Sequence, residues 1–207
     1  GWFGFNGGSQ LSVHGAELPF TTTHISAATG LVAWSLIETW RDGKPTAVGM
    51  ATGAVAGLVG ITPGAGFVTP GAGMAIGAIT GLLCYCSVQL KVSLRFDDSL
   101  DTFAVHGVGG TVGAILTGVF ASAELISSHP AGQVLADKGR LALIGGQVQA
   151  VLVAYGLAAL GTLLIAAVLR GLGLPFRVTE EAENLGLDVR EHGEEAYPER
   201  IGSPQFR

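Results

Sequence analysis

From Pro19 onward the chain alternates long apolar runs with short polar breaks. About 20 apolar residues in a helix cross the hydrocarbon core of a bilayer. On that scale five runs predict membrane spans, at about 19–40, 46–61, 71–90, 100–121 and 141–169. The second is short. The fifth is longer than a span requires, so it has to tilt, bend or project from the bilayer. Ahead of them stands GWFGFNGGSQL, in which aromatic rings alternate with glycines and give way to Asn6, Ser9 and Gln10. With no initiator Met and no basic flank, this opening reads as the outer end of a transmembrane helix that begins upstream of Gly1.

Glycine recurs at every fourth position in three of the runs: Gly49, Gly53 and Gly57; Gly73, Gly77 and Gly81; Gly109 and Gly113. That spacing lays a smooth strip along one helix face and predicts close helix contact. Cys84 and Cys86, two residues apart on a helix, point in different directions and do not suit a mutual disulfide.

Composition strengthens the membrane reading. Of 207 residues 48% are hydrophobic and 13% charged, against a usual charged share of about 25%. Basic residues then set the topology. Arg41 and Lys44, Lys91 and Arg95, and Arg170 and Arg177 all fall on one side if the spans alternate. The other side has the uncharged loop TPGAGFVTP and a longer loop carrying Lys138 and Arg140. The positive-inside rule makes the first side cytoplasmic, so the chain starts outside and ends inside. The net charge of −5 reflects a tail from Leu174 that holds eight acids and four arginines. There is no basic patch with interleaved aromatics, and so no nucleic-acid partner is expected. Within the tail, VTEEAENLG predicts a short helix capped by Thr179, with Glu180 and Glu181 in its first turn and Gly186 as its stop.

No GxSxG, P-loop or HExxH sequence occurs, and no enzyme, metal site or cofactor is expected. Candidate chemistry lies instead with ionisable groups inside the spans, where each is costly. His106 lies six residues past Leu100, roughly 9 Å along a helix, which places it near mid-membrane if the span starts there. Burial would favour its neutral ring, with one donor and one acceptor for a small polar solute. A structural histidine satisfied by a neighbouring carbonyl is the alternative. Asp97, Asp98 and Asp101 stand where the helix dipole favours carboxylates, with a proton exit path as the alternative. His24 reads as structural, satisfied by nearby threonines and serine, and Glu38 as reaching the interface or pairing with Arg41. Trp2 and Phe5 fit an interfacial belt or a site whose ring faces attract a small cation, to which Ser9 adds a hydroxyl acceptor.

The stretches GWFGFNGGS, GKPTAVGMATGAVAGLVGITPGAGFV, RFDDSLDTFAVHGVGGTVGAILTGVFA and RVTEEAENLGLDVREHGEEAY closely resemble the ammonium transporter family (Amt/MEP/Rh). The resemblance implies an all-α membrane protein: the second half of an eleven-helix inverted-repeat bundle, from the end of helix six through helix eleven. Residues 1–173 would form the membrane region and 174–207 a cytoplasmic regulatory tail. It implies a homotrimer in the plasma (inner) membrane, conducting ammonium or ammonia through a hydrophobic pore with paired histidines. Phe5 matches the outer aromatic gate, with Trp2 beside the recruitment site. Ser9 matches the hydroxyl that receives ammonium, and His106 the second pore histidine. Gly186, Asp188 and Tyr197 lie in matching stretches of the tail, which would help bind a PII-type signalling protein. The first repeat is absent, and with it the partner histidine, so a longer native chain is expected. An ammonium sensor signalling through the tail is the alternative, and a purely structural half-protein a third.

Overall fold

The computed structural model describes residues 1–196, and Tyr197 lies outside the described residues. The described chain is helical, with no strand among those residues. It opens with α1 (Trp2–Gly8), followed by α2 (Glu17–Asp42), α3 (Ala47–Ile61) and α4 (Pro70–Leu94). A π turn at Phe103–Gly107 leads directly into α5 (Val108–Phe120). After α6 (Pro130–Gly171) come the short α7 (Glu180–Leu185) and a second π turn, Asp188–His192. Two compact units result, 1–154 and 155–207, with their boundary inside α6.

In the first unit α2 is the axis, packed by α1, α3 and α4. Both four-residue glycine strips face it. A Cβ on Gly57 would meet the Ser26 carbonyl, and one on Gly77 would meet that carbonyl and the Thr29 hydroxyl. Gly53 lies against Trp34, and Gly81 against the backbone of Gly30. Gly113 in turn lies against the carbonyl of Gly60, bringing α5 onto α3. In lipid there is no hydrophobic drive between helices, so such close backbone packing and interhelical hydrogen bonds hold the bundle. Ser26 Oγ donates to the Gly57 carbonyl at 2.8 Å and Thr22 Oγ1 to the Ala65 carbonyl at 2.7 Å. Each such bond contributes about 0.6–2 kcal/mol in this setting.

The element ends follow local chemistry. Thr46 caps α3, accepting from the Gly49 amide at 2.9 Å. Glu38 accepts from both the amide and the hydroxyl of Thr46, at 3.0 and 2.9 Å. Its carboxylate thus ties α2 to α3 instead of pairing with Arg41. Gly43, at φ 84°, closes α2. The hydroxyls around His24 are also engaged elsewhere: Thr21 bonds Glu17, Thr23 bonds Pro19 and Ser26 bonds Gly57. His24 is exposed, with its ring 6.0 Å from that of Phe3.

Among the described residues three helical stretches are long and apolar enough to cross a membrane: Pro70–Leu94, Phe103–Phe120 and Pro130–Gly171. α2 has the length, but its threonines, serines and histidine lower its apolarity, and α3 is apolar but shorter. The fifth expected span is part of α6, which breaks at Gly139 (φ 79°, ψ 177°). Lys138 and Arg140 therefore flank a helix break, not a long loop. Beyond the break most large side chains of α6 are exposed within this chain, as for a helix meeting lipid or further protein on several sides. In the second unit Thr179 accepts from the Ala182 amide at 3.3 Å and caps α7, which stops at Gly186 as the tail pattern requires.

The fourth expected span starts later than its apolar pattern suggests. Asp101 has left-handed backbone, φ 56°, and the helical stretch follows it. The two carboxylate oxygens of Asp98 accept from the amides of Thr102 and Phe103, each at 2.9 Å. This cap fixes the start near Thr102, so His106 lies within the first turns of its helix and not six residues deep.

Candidate functional site

α1 is positioned by one amide. Asn6 is buried and donates from Nδ2 to Thr23 Oγ1 at 2.9 Å, docking α1 on α2. Trp2, Phe5 and Ser9, spaced i, i+3 and i+7, share one helical stripe. Trp2 is half-buried, and its indole N–H donates to Thr62 Oγ1 at 2.8 Å. Thr62 itself donates to the Leu58 carbonyl at 2.7 Å. Phe5, 61% exposed, meets Trp2 edge-on with centroids 6.0 Å apart. The other neighbour of Trp2 is His106, stacked at 6.2 Å with 26° between planes.

The structure thus brings Trp2, Phe5 and His106 into one row of rings. The Trp2 ring, placed beside the recruitment site by the resemblance, also stacks on the histidine. Ser9 follows the end of α1, exposed, with its hydroxyl donating to the Phe5 carbonyl at 2.7 Å. That bond occupies the proton and leaves the oxygen able to accept another.

His106 opens onto a trough of about 410 Å³ along α3, lined by Val48, Ala51, Thr52 and Val55, with Leu100 and Val105 beside it. Thr52 turns its hydroxyl to the Val48 carbonyl at 2.8 Å. His106 therefore supplies the uncommitted polar group of an otherwise apolar wall. The ring is exposed within this chain, so the burial expected from sequence is not provided by these residues alone. Among the described residues no group of three His, Cys, Asp or Glu side chains could hold a metal ion. Cys84 is buried and Cys86 exposed, both as free thiols.

Sequence reasoning missed Thr62 and the role of Asn6, and it placed Asp98 at the helix start without its two amide partners. A lone amide in an aromatic, glycine-rich helix was the available signal for Asn6. Nothing local marks Thr62 as the partner of Trp2.

A family model described as Ammonium Transporter Family matches residues 1–197. The ammonium transporter of Bacillus subtilis (strain 168) is 44% identical over 203 residues, covering 97% of this chain and 49% of that protein. Ammonium transporter Amt1 of Archaeoglobus fulgidus is 39% identical over 199 residues, covering 95% and 49% respectively. The chain spans about half the length of these curated relatives. Among solved structures, one titled Sensor Amt Protein aligns with TM-score 0.78 and 35% identity, over 92% of this chain and 45% of that one. Saccharomyces cerevisiae Mep2 aligns with TM-score 0.75 and 35% identity, over 87% of this chain and 42% of that one.

Proposed function

Because the chain belongs to the ammonium transporter family, we propose that it is the second half of a transporter moving ammonium or ammonia across the plasma (inner) membrane. In this reading residues 1–173 form the membrane region, from the end of helix six through helix eleven. Residues 174–207 form the cytoplasmic tail, and the start of the chain lies outside. Coverage of about half of each relative supports a half-length piece of such a transporter; which half, and the orientation, rest on the resemblance of the quoted stretches and on the positive-inside pattern.

The observation that carries the reading is the stack of Trp2 on His106 beside an apolar trough. Aromatic faces attract an ammonium-like cation by roughly 0.5–2 kcal/mol, and the Ser9 oxygen can accept one of its N–H bonds. Past Phe5 and Trp2 an ion meets apolar walls, where a full charge is costly. Ammonium can give its proton to water at the exposed outer end, forming hydronium there, and continue as ammonia, with the imidazole of His106 as its hydrogen-bond partner. Potassium has no proton to shed and donates no hydrogen bond, so it is excluded on chemical grounds. The first repeat would supply the facing histidine and close the trough. A homotrimer, and a PII-type protein docking at the tail, complete the proposal.

A sensing role through the tail draws support from the likeness to the solved sensor protein. The names of the curated relatives favour transport. Methylammonium uptake by the full-length protein tests the transport reading, with His106→Ala as its critical variant. Uptake that is lost, or that no longer discriminates against potassium, is expected. Uptake and selectivity equal to wild type would remove His106 from its role.

A further inference from the structure

Three side chains outside the trough hold the start of the turn that carries His106. Asp98 caps the amides of Thr102 and Phe103. Lys91, in the last turn of α4, donates to the carboxylate of Asp101 and to the backbone carbonyl of Asp98. The Lys91 side chain is only 14% exposed. It faces a separate apolar cavity of about 160 Å³ with Leu94, Phe96 and Phe103. Asp101 has a left-handed φ of 56°, a region aspartate enters more readily than most residues, and the Lys91 contact adds a hold from another helix. The π turn begins two residues later, at Phe103, and such turns are frequent at functional sites.

We propose that Lys91 is a positioning residue for His106. By bridging α4 to the Asp98–Asp101 elbow, it sets the register of the π turn and so directs the imidazole at Trp2. Lys91 touches neither His106 nor the trough, and it acts through the backbone it holds. Its removal leaves the partly buried Asp101 carboxylate without this cation and frees the elbow. If the turn then reverts to regular α-helix, a slip of one residue rotates what it carries by about 100°. That rotation separates His106 from Trp2. The proposal rests on the reading that His106 handles the transported molecule.

The test uses the full-length protein, with methylammonium uptake normalised to the amount in the membrane and amide exchange measured over Thr102–Val108. Lys91→Gln is expected to lower uptake several-fold and to speed exchange in that segment. The charge-reversed pair, Lys91→Glu with Asp101→Lys, is expected to recover most of the uptake and the protection. It also covers a Lys91→Gln protein that does not reach the membrane: recovery by the pair supports the proposal and continued loss overturns it. Wild-type uptake left unaltered by Lys91→Gln removes this proposal alone. A wild-type protein without uptake removes the transport reading and this proposal together.

Discussion

Trp2 lies nearly flat against His106, with ring centroids 6.2 Å apart and 26° between planes. One residue opens α1, and the other stands in the π turn ahead of α5. Each is held from outside the pair: Trp2 by Thr62 at the end of α3, and His106 by the capped turn beneath it. The stack therefore reports on how α1, α3 and the π turn fit together. It is also sensitive to changes at residues that never touch a solute.

Thr62→Val tests the first of these holds. It removes the acceptor of the indole N–H while keeping the side-chain shape. A lost hydrogen bond of this kind costs about 1 kcal/mol, which corresponds to roughly fivefold in an equilibrium. Uptake of methylammonium by the full-length protein should fall a few-fold, and Trp2→Phe, which deletes the donor, should fall similarly. A double variant no worse than either single one would show that both act through the same bond. Additive losses would show that they do not.

The glycine strips make a sharper stability prediction. In Gly57→Ala and Gly77→Ala the new methyl meets backbone of Ser26, which cannot move aside as a flexible side chain would. Overpacking of this kind costs typically about 1–3 kcal/mol. Gly71, exposed near the start of α4 with nothing within 4 Å of a built Cβ, provides the control. Thermal unfolding of detergent-purified protein should show midpoints lowered by several degrees for the first two variants. Gly71→Ala should be unchanged or slightly raised, since alanine favours helix by about 0.5–1 kcal/mol over glycine.

These strips were legible in the sequence because they are periodic, and period is a local property. The same holds for the Thr179 cap, where a hydroxyl, three acids and a stopping glycine sit within eight positions. The start of the His106 helix was not legible. Leu100 continues the apolar run, whereas the actual start depends on a side chain, Asp98, reaching forward to two amides, and on Lys91 arriving from another helix. The Trp2–His106 stack and the Thr62 bond are long-range pairings for the same reason. The spacing of Trp2, Phe5 and Ser9 places them on one stripe, but only packing reveals that Trp2 stacks on the histidine.

Gly139 divides α6 at φ 79° and ψ 177°, a region essentially confined to glycine. Immediately after it, Arg140 Nη1 donates to the Ala121 carbonyl at 2.6 Å and the Gly118 carbonyl at 3.3 Å, closing the end of α5. Gly139→Ala should cost about 1–3 kcal/mol through backbone strain, although no neighbouring atom lies within 4 Å of the added Cβ. Arg140→Met should keep the backbone and release the α5 carbonyls. The two variants should thus lower the unfolding midpoint alike but differ in amide exchange, with Arg140→Met loosening the last turn of α5 selectively. Equal exchange at that turn in Arg140→Met and wild type would remove the capping role.

In the tail, Asp188 accepts from the Ala196 amide at 3.0 Å and closes a turn around Gly193, which has φ 71°. The Ala196 amide, followed by that of Val189, holds the Asp188 carboxyl below the usual carboxylate range. A depressed folded value means that the charged form is bound more strongly than in the unfolded chain. The contribution is therefore fully present above the ordinary aspartate value of about 3.9 and fades as pH falls through the lower folded value. Exchange at the Ala196 amide, corrected for its intrinsic rate, should stay flat from neutrality down to that region and rise only below it. Asp188→Asn, which retains a carbonyl acceptor without charge, should exchange faster at neutral pH and lose the acid-dependent step. A step near pH 6 in the wild type would assign the opening to a group other than Asp188, because its carboxylate remains charged there in both folded and unfolded states.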